Sequence, residues 1–294
     1  MISSATLLII LSMVTSGIIL GLIFALVASG VTIIYGSIWL PNAANGQFFL
    51  LAALGCWSFA SWLGLPTALA ALLVLICSFP LSYFLETTLI RRFYDVPDRN
   101  IAYFVVTLGV TQILSGVSSV TYGRWSDQFS LPPVVSGVTF IGPLPMANNR
   151  ILVLGVAIVL LAALFLLLRL HRYGRALRAV FQNREAAALR GVNVRAVYRL
   201  SFALGMLIIF AGGILYGMAY SFDLTNAWTM AVIAFAIMIV GGPGSVAGAV
   251  VIGMLFGFTQ AGVSVFASPT IATFSYLAVM LMVLLLKPSG LFAR

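Results

Sequence analysis

The 294-residue chain is 62% hydrophobic and only 7% charged, and its formal net charge is +9. Soluble domains are about half apolar and about a quarter charged, so a soluble fold of this size is excluded. Basic residues that flank membrane spans produce such a positive charge without a polyanionic partner, and nucleic-acid binding is therefore not expected. Apolar runs of bilayer length recur along the chain, which predicts an all-α, polytopic membrane protein.

Nine apolar runs predict the membrane segments. In chain order they cover residues 5–36, 46–64, 66–90, 101–122, 151–170, 197–221, 227–241, 244–264 and 270–287. The first run is longer than one bilayer thickness requires, so we expect it to tilt or break. The seventh run is short, and the glycine-rich "VGGPGSVAG" at 240–248 predicts a tight re-entrant turn behind it. Together the runs predict a single transmembrane domain over residues 1–294 with roughly eight to ten transmembrane helices.

The uneven distribution of arginines predicts the orientation of the chain. Three arginines lie at 91–99 and eight at 169–199, where Glu185 is the one acidic residue. The long polar loop at about 123–149 has arginines only at its edges. Because short loops rich in arginine stay on the cytoplasmic side, we expect a cytoplasmic loop at about 171–197 and an outer loop at 123–149. Nine spans then place the N-terminus on the outer side.

The chain contains little material for catalysis or for proton transfer. Its single histidine, its six acids and its one lysine lie outside the centres of the predicted spans. A proton relay needs a titratable group within the membrane, and a metalloenzyme needs a cluster of ligands, so an enzyme is not expected. A phosphate-binding P-loop needs lysine before Ser or Thr, whereas Lys287 precedes Pro288. We therefore expect no cofactor in this chain, and any ATP must be hydrolysed by a partner subunit.

The arginine-rich loop carries a pattern of its own. Arginines recur every third residue at Arg169, Arg172, Arg175 and Arg178, which predicts a basic stripe on a helix that extends from the membrane. Gln182 or Asn183 can begin a second, short helix, and Gly191 can end it. Such a helix, lying across the cytoplasmic face, suits a groove of a partner protein. The alternative is that the arginines only hold the loop inside, near anionic lipid.

Glu185, Ala186, Ala187 and Gly191 form an E-A-A-x-x-x-G pattern that resembles the EAA loop of bacterial ABC-importer permeases. Further segments occur in order around it. They are "GLIFALVASGVTIIYGSIWLPNAANGQFFLLAAL" (21–54), "YGRALRAV" (173–180), "LSFALGMLIIFAGGILYG" (200–217), "IVGGPGSVAGAVVIGMLFG" (239–257) and "LLLKPSGLF" (284–292). Together they resemble the inner-membrane permeases of branched-chain amino-acid ABC importers, and the short N-terminus resembles the shorter of the two permeases paired there.

The resemblance implies one transmembrane subunit that forms half of a pathway for a small polar solute. A branched-chain or other hydrophobic amino acid is the first candidate, with urea and short amides as alternatives. The implied partners are two ATP-binding-cassette ATPase subunits at residues 182–192, a second permease (a paralogue or a copy of itself), a periplasmic solute-binding protein and membrane lipid. The implied location is the bacterial inner membrane. The docking candidates are Arg178, Arg184, Glu185, Ala186, Ala187 and Gly191.

Polar residues that interrupt apolar runs are candidates for the transport pathway. They are Tyr35, Asn42, Asn45, Gln47, Gln112 and Asn226. Hydrogen bonding between helices is the alternative role for each of them. The segment 42–46 reads Asn-Ala-Ala-Asn-Gly where members of the resembled family commonly carry Phe and His, and this leaves the solute open.

Two further possibilities concern the repeat structure and the transport mechanism. Tyr35-Gly36 and Tyr216-Gly217 each precede a polar break, which suggests an internal repeat of the kind that transporters often contain. The alternative function is an ion-coupled secondary transporter or a channel that acts without an ATPase, since unwound backbone carbonyls can bind Na⁺.

Overall fold

The computed structural model describes residues 4–93, 99–124, 128–267, 269–287 and 290–292. The helices are α1 Ser4–Ile38, α2 Asn45–Ser61, α3 Thr67–Leu85, α4 Arg99–Tyr122, α5 Asn148–Leu170, α6 Arg172–Gln182, α7 Arg184–Leu189, α8 Val194–Ala219, α9 Asn226–Gly241, α10 Val246–Phe266 and α11 Pro269–Leu286. A π-helical turn at Glu86–Ile90 and a 3₁₀ turn at Arg91–Phe93 continue α3. The strands β1 Val138–Ile141 and β2 Leu144–Ala147 form an antiparallel hairpin.

The predicted all-α polytopic architecture is confirmed, and each of the nine apolar runs corresponds to one helix. Within the described residues, six helices are long and apolar enough to cross a membrane. They begin at Thr6, Thr67, Asn100, Asn148, Val194 and Val246. Two of the predicted segments are short, because α2 has 17 residues and α9 has 16. The first run does not break: α1 is one helix of 35 residues, about 52 Å long at 1.5 Å per residue.

Helix α1 packs antiparallel against α8 and α10 through glycines. A Cβ built on Gly30 would lie 2.7 Å from the carbonyl oxygen of Gly205, and one on Gly257 would lie 2.2 Å from the backbone nitrogen of Gly21. The backbones therefore approach more closely than any side chain would allow. Small residues give such contact between membrane helices, where the lipid supplies no hydrophobic driving force.

The chain breaks between α1 and α2 inside the packed helices. Trp39 ends α1 with a φ of +58°, a left-handed conformation that is uncommon for a residue other than glycine. The backbone N–H of Ala43 then donates to Thr107 Oγ1 at 3.1 Å. Thr107 lies eight residues into α4, about 12 Å along that helix. Helix α2 thus begins well within the span of α4 rather than at its end.

The first turn of α5 closes the end of α8. The side-chain amide of Asn149 donates to the carbonyl of Met218 at 2.6 Å, and Arg150 Nε donates to that of Ala219 at 3.4 Å. These donors satisfy carbonyls that have no partner within the helix. The charge of Arg150 also suits the negative end of the α8 dipole. The sequence analysis predicted neither this cap nor the hairpin of β1 and β2.

Two predicted local features have different outcomes. The glycine-rich segment does form a tight turn between α9 and α10, with φ values of +92° at Gly242 and +81° at Gly244. The single basic stripe is wrong, because α5 ends at Leu170 and α6 begins at Arg172. His171 separates them in an extended conformation, and its Nδ1 accepts a hydrogen bond from the backbone N–H of Tyr173 at 3.1 Å. The imidazole therefore caps a new helix instead of continuing the old one.

We expect Gly257→Ala to destabilise the protein, because the added Cβ meets the backbone of Gly21. Overpacking of this kind costs about 1–3 kcal/mol. The matched control is Gly109→Ala on α4, where an added Cβ meets nothing within 4 Å. Thermal unfolding in detergent, followed by circular dichroism, should show a lower Tm for the first variant only. Equal melting temperatures would contradict the proposed importance of the α1–α10 contact.

Candidate functional site

Two regions contain most of the residues that the sequence singled out. The first is a pair of short helices, α6 and α7, outside the membrane-spanning segments, called here the cytoplasmic platform (residues 172–191) after the predicted side of the arginine-rich loop. The second is the buried segment that joins α1 to α2, called here the buried break (residues 39–47).

Helix α6 holds the platform against the membrane helices. Gly174, Leu177 and Val180 form its buried face, and the arginines between them are exposed. The hydroxyl of Tyr173 and Ser201 Oγ on α8 share a hydrogen bond of 2.9 Å. Burial raises the pKa of Tyr173 to about 12, so the phenol remains neutral and this link persists at physiological pH. The platform is thus fixed to α8 by packing and by a polar contact.

Helix α7 is a capped single turn with most of its surface exposed. The Oδ1 of Asn183 accepts hydrogen bonds from the backbone N–H groups of Glu185 and Ala186, both at 3.0 Å. This confirms one of the two predicted helix starts. Gly191 ends the turn with a φ of +81°, as predicted for a C-terminal glycine. Both ends of the short helix are therefore specified locally.

The predicted docking residues occupy different environments on the platform. Arg184, Glu185 and Ala186 are exposed, whereas Ala187 is only 4% exposed and packs α7 onto the protein. The guanidinium of Arg178 donates to the carbonyl of Leu168 at the end of α5. Ala187 and Arg178 thus position the platform, and the other three residues form its open surface.

Leu189 belongs to this open surface and was not among the predicted residues. Its side chain is 90% exposed at the end of α7. A single exposed apolar side chain is ordinary on a protein surface, so Leu189 is notable only for its position beside the exposed docking candidates. The sequence signal was present, since Leu189 is an apolar residue directly before Arg190 and the terminating Gly191.

The buried break contains three of the predicted pathway residues. Asn42, Asn45 and Gln47 are 3%, 2% and 2% exposed. Asn42 Oδ1 accepts a hydrogen bond from the backbone N–H of Ala44 at 3.0 Å. The side-chain oxygens of Asn45 and Gln47 have no hydrogen-bond partner within the described part of the chain. Buried polar atoms without partners are uncommon in proteins, so the two amides require an explanation.

The other predicted pathway residues lie elsewhere or have local roles. Tyr35 is half-buried, with its ring 5.9 Å from that of Trp39. Gln112 lies on the exposed face of α4. Asn226 Oδ1 accepts from the backbone N–H of Asp223 at 2.7 Å, so this residue stabilises the turn before α9. The structure thus brings together Asn42, Asn45 and Gln47 and separates Gln112 from them.

The starts of α2 and α9 meet. A Cβ on Gly46 would lie 2.0 Å from the carbonyl oxygen of Ala227. Ten residues separate Tyr35 from Asn45, and ten separate Tyr216 from Asn226. Each break thus leads from a tyrosine to an asparagine that begins a short helix. The preceding helices α1 and α8 are antiparallel, which is the arrangement of an inverted internal repeat.

Glu86, one of the six acids, is a further notable residue. Its side chain is only 2% exposed, on the π-helical turn after α3. It lines a largely apolar cavity of about 440 Å³ together with Arg199 of α8. Single π-helical turns occur frequently at functional sites.

Comparison with known proteins identifies the family. Residues 13–286 match the family model for the branched-chain amino acid transport system / permease component. The chain belongs to this permease family. The high-affinity branched-chain amino acid transport system permease protein LivH of Escherichia coli (strain K12) is 27% identical over 95% of this chain and 94% of its own length. The corresponding LivH of Salmonella typhimurium gives the same values, and BraD of Pseudomonas aeruginosa is 25% identical over 97% and 96%.

A solved structure with the same fold supports the architecture of this permease. One chain in the structure of PsaBC from Streptococcus pneumoniae in complex with Fab matches this fold with a TM-score of 0.51 and 13% identity. The match covers 96% of this permease and 92% of that chain. At this identity the likeness shows the fold alone.

Family membership confirms several predictions made from the sequence. The protein is a multi-pass membrane permease for transport, and permeases of this family function in a complex with other subunits. The relatives are named as transport permeases, which indicates a transport subunit rather than an enzyme. The roles of the individual site residues stay predictions.

We expect Asn183→Ala to loosen α7, because the helix loses the side chain that caps two backbone N–H groups. Loss of such a cap costs about 1 kcal/mol, so amide hydrogens of residues 184–189 should exchange roughly fivefold faster. Asn183→Asp retains the accepting oxygen and serves as the control. Hydrogen–deuterium exchange with mass spectrometry measures both, and equal exchange in the two variants would contradict the capping role.

Proposed function

We propose that this permease is one transmembrane subunit of an ATP-binding-cassette importer and forms half of its translocation pathway. The solute is an amino acid with a hydrophobic side chain, since the relatives are named as branched-chain amino acid permeases. A second permease, a paralogue or another copy of this chain, supplies the other half. A periplasmic solute-binding protein delivers the solute, and the complex lies in the bacterial inner membrane.

The observation that carries this proposal is the cytoplasmic platform. A six-residue helix is capped at its start by Asn183, ended by Gly191 and attached through buried Ala187. A helix this short is not stable by itself. The cap at its start and the glycine at its end therefore indicate a surface with a defined shape. That shape suits insertion into a groove of another protein.

The chemistry of the platform matches a partner with mixed polar and apolar contacts. Leu189 offers an apolar anchor, and Arg184, Glu185 and Arg190 surround it with exposed charges. Partner interfaces typically combine a buried apolar centre with a polar rim. We propose that an ATPase subunit binds here, with one such subunit beneath each permease, and that ATP binds only to those subunits and not to this chain.

Coupling follows from the contacts that the platform makes. A ligand shifts a conformational equilibrium only through interactions that differ between the states. Closure of the ATPase pair on ATP would displace α7, and α6 would transmit the displacement through Leu177, Val180 and the Tyr173–Ser201 contact to α8. Since α8 packs directly on α1, movement at the platform reaches the buried break.

Reconstitution in liposomes separates this function from that of a secondary transporter or a channel. We expect uptake of radiolabelled leucine only when ATPase subunits, the second permease and binding protein are present together with ATP. Uptake by this chain alone, driven by an ion gradient and without ATP, would refute the importer assignment.

We expect Gly191→Val to uncouple ATP hydrolysis from transport in the complete importer. Valine disfavours the left-handed conformation at φ +81° by about 1–2 kcal/mol, so the end of α7 should shift while the membrane helices stay folded. The prediction is retained ATPase activity with at least about tenfold lower leucine uptake.

Gly191→Asn is the matched control for that experiment. Asparagine adopts the left-handed conformation more readily than valine, and an added Cβ at this position meets nothing within 4 Å. Uptake by the asparagine variant should therefore stay close to that of the unmodified protein. Normal uptake by Gly191→Val would count against a coupling role for the platform.

A further inference from the structure

The first turn of α2 is buried and has no side-chain cap. Its N-cap residue, Ala44, offers no oxygen to the backbone N–H groups that follow. In the same chain α7, α8 and α10 are capped by side chains, whereas α3, α5 and α9 resemble α2 in having no side-chain cap. The first N–H groups of a helix have no acceptor within it, and they form the positive end of its dipole. At α2 this positive end lies in the interior of the protein.

The same turn carries the two amide side chains without partners. The oxygens of Asn45 and Gln47 are fully enclosed, and no donor from the described residues reaches them. A buried acceptor that loses its bonds to water costs free energy unless a donor replaces them. The Cα–Cβ bonds of a helix tilt toward its N-terminus, which at α2 is the direction of the uncapped end. One turn therefore presents backbone donors without a side-chain cap and side-chain acceptors without a partner.

The surroundings of this turn restrict what it can accept. The carbonyl of Ala227 and the Cβ of Ala231 on α9 lie against Gly46 and close one side. On another side, Thr107 of α4 holds Ala43. One helical turn from Thr107, the hydroxyl of Tyr103 is also buried without a partner. The unpartnered polar groups thus belong to α2, whose start contacts α9, and to α4, in the membrane interior, where charge is costly unless it is fully paired.

We propose that the first turn of α2 binds both charged groups of an α-amino acid. The carboxylate accepts hydrogen bonds from the backbone N–H groups of residues 45–47, in the manner of anions at helix N-termini. The ammonium group donates to Asn45 Oδ1 and Gln47 Oε1. A zwitterion supplies an acceptor and a donor a few ångströms apart, and so it satisfies both sets at once without adding net charge.

This inference rests on the proposed transport function and sharpens its solute. Urea and short amides lack a carboxylate, and they would leave the positive end of α2 uncompensated. The site is enclosed in the present conformation, since Asn45 and Gln47 are each 2% exposed. Access therefore requires α2 and α9 to separate, which is the kind of motion that the platform would drive through α8.

Ligand stabilisation of the full-length chain in detergent tests the site directly. A ligand that binds the folded state raises the melting temperature in a concentration-dependent way. The probes are leucine, leucinamide (no carboxylate) and 4-methylpentanoate (no ammonium group). We expect leucine to raise Tm, and each analogue to bind at least about tenfold more weakly, because each leaves one set of charge-assisted hydrogen bonds unmade.

Three variants assign the effect to the first turn of α2. Gln47→Ala should weaken leucine binding at least about tenfold, whereas Gln112→Ala, the same change on the exposed face of α4, should leave it unaltered. Asn45→Asp places a carboxylate at the positive helix end. This variant should melt at a higher temperature without ligand and should no longer respond to leucine. If Asn45 only packed against its neighbours, Asn45→Asp would neither raise the melting temperature nor abolish the response to leucine.

The thermal-shift results with leucine, the two analogues and the variants decide whether this site exists. The site is refuted if leucine gives no shift at any soluble concentration, if either analogue matches leucine, or if Gln47→Ala responds normally. Uptake by the complete importer is a separate measurement. A chain that fails the binding test but supports ATP-dependent uptake would lose this site and keep the proposed function. If leucine binding persists but the complete importer shows no ATP-dependent uptake, the site is kept and the proposed function is refuted.

Discussion

Glycines let α1 pack closely against α8 and α10, and this contact sets the arrangement of the other membrane helices. Gly30 faces the carbonyl of Gly205, and Gly257 faces the backbone of Gly21, at separations that exclude any Cβ. In a bilayer such helices associate by van der Waals contact rather than by a hydrophobic effect. Helices α8 and α10, both antiparallel to α1, therefore form a closely packed centre with it, and the shorter helices α2 and α9 pack against this centre.

This centre links the two regions of functional interest. Helix α8 carries Ser201, which bonds to the platform, and Gly213, which packs against the backbone of Phe49 in α2. In the proposed coupling, a displacement of the platform would pass along this close-packed helix to the segment that holds Asn45 and Gln47. Interiors packed at this density transmit strain, which is the property that an ATP-coupled permease requires of its membrane helices.

Local features were predictable wherever a residue acts on its own neighbours in the chain. Asn183 and Gly191 define α7 because a cap and a left-handed C-terminus depend on a few consecutive residues. The glycines at 242 and 244 marked the turn before α10 for the same reason. The break at His171 and the hairpin of β1 and β2 were not predicted, because apolar periodicity and charge spacing carry no information about an extended single residue or a short outer strand.

The membrane class, the order of the helices, the resemblance to the family and the position of the arginine-rich loop were readable from the sequence, since each depends on composition or on short ordered motifs. Which candidate residues lie together was visible only in the folded protein. Gln47 and Gln112 are the same residue type within apolar runs, yet packing encloses the first beside α9 and leaves the second exposed. The reason is physical: a side chain's partners are set by which helices approach each other, and that approach depends on contacts between glycines far apart in the chain.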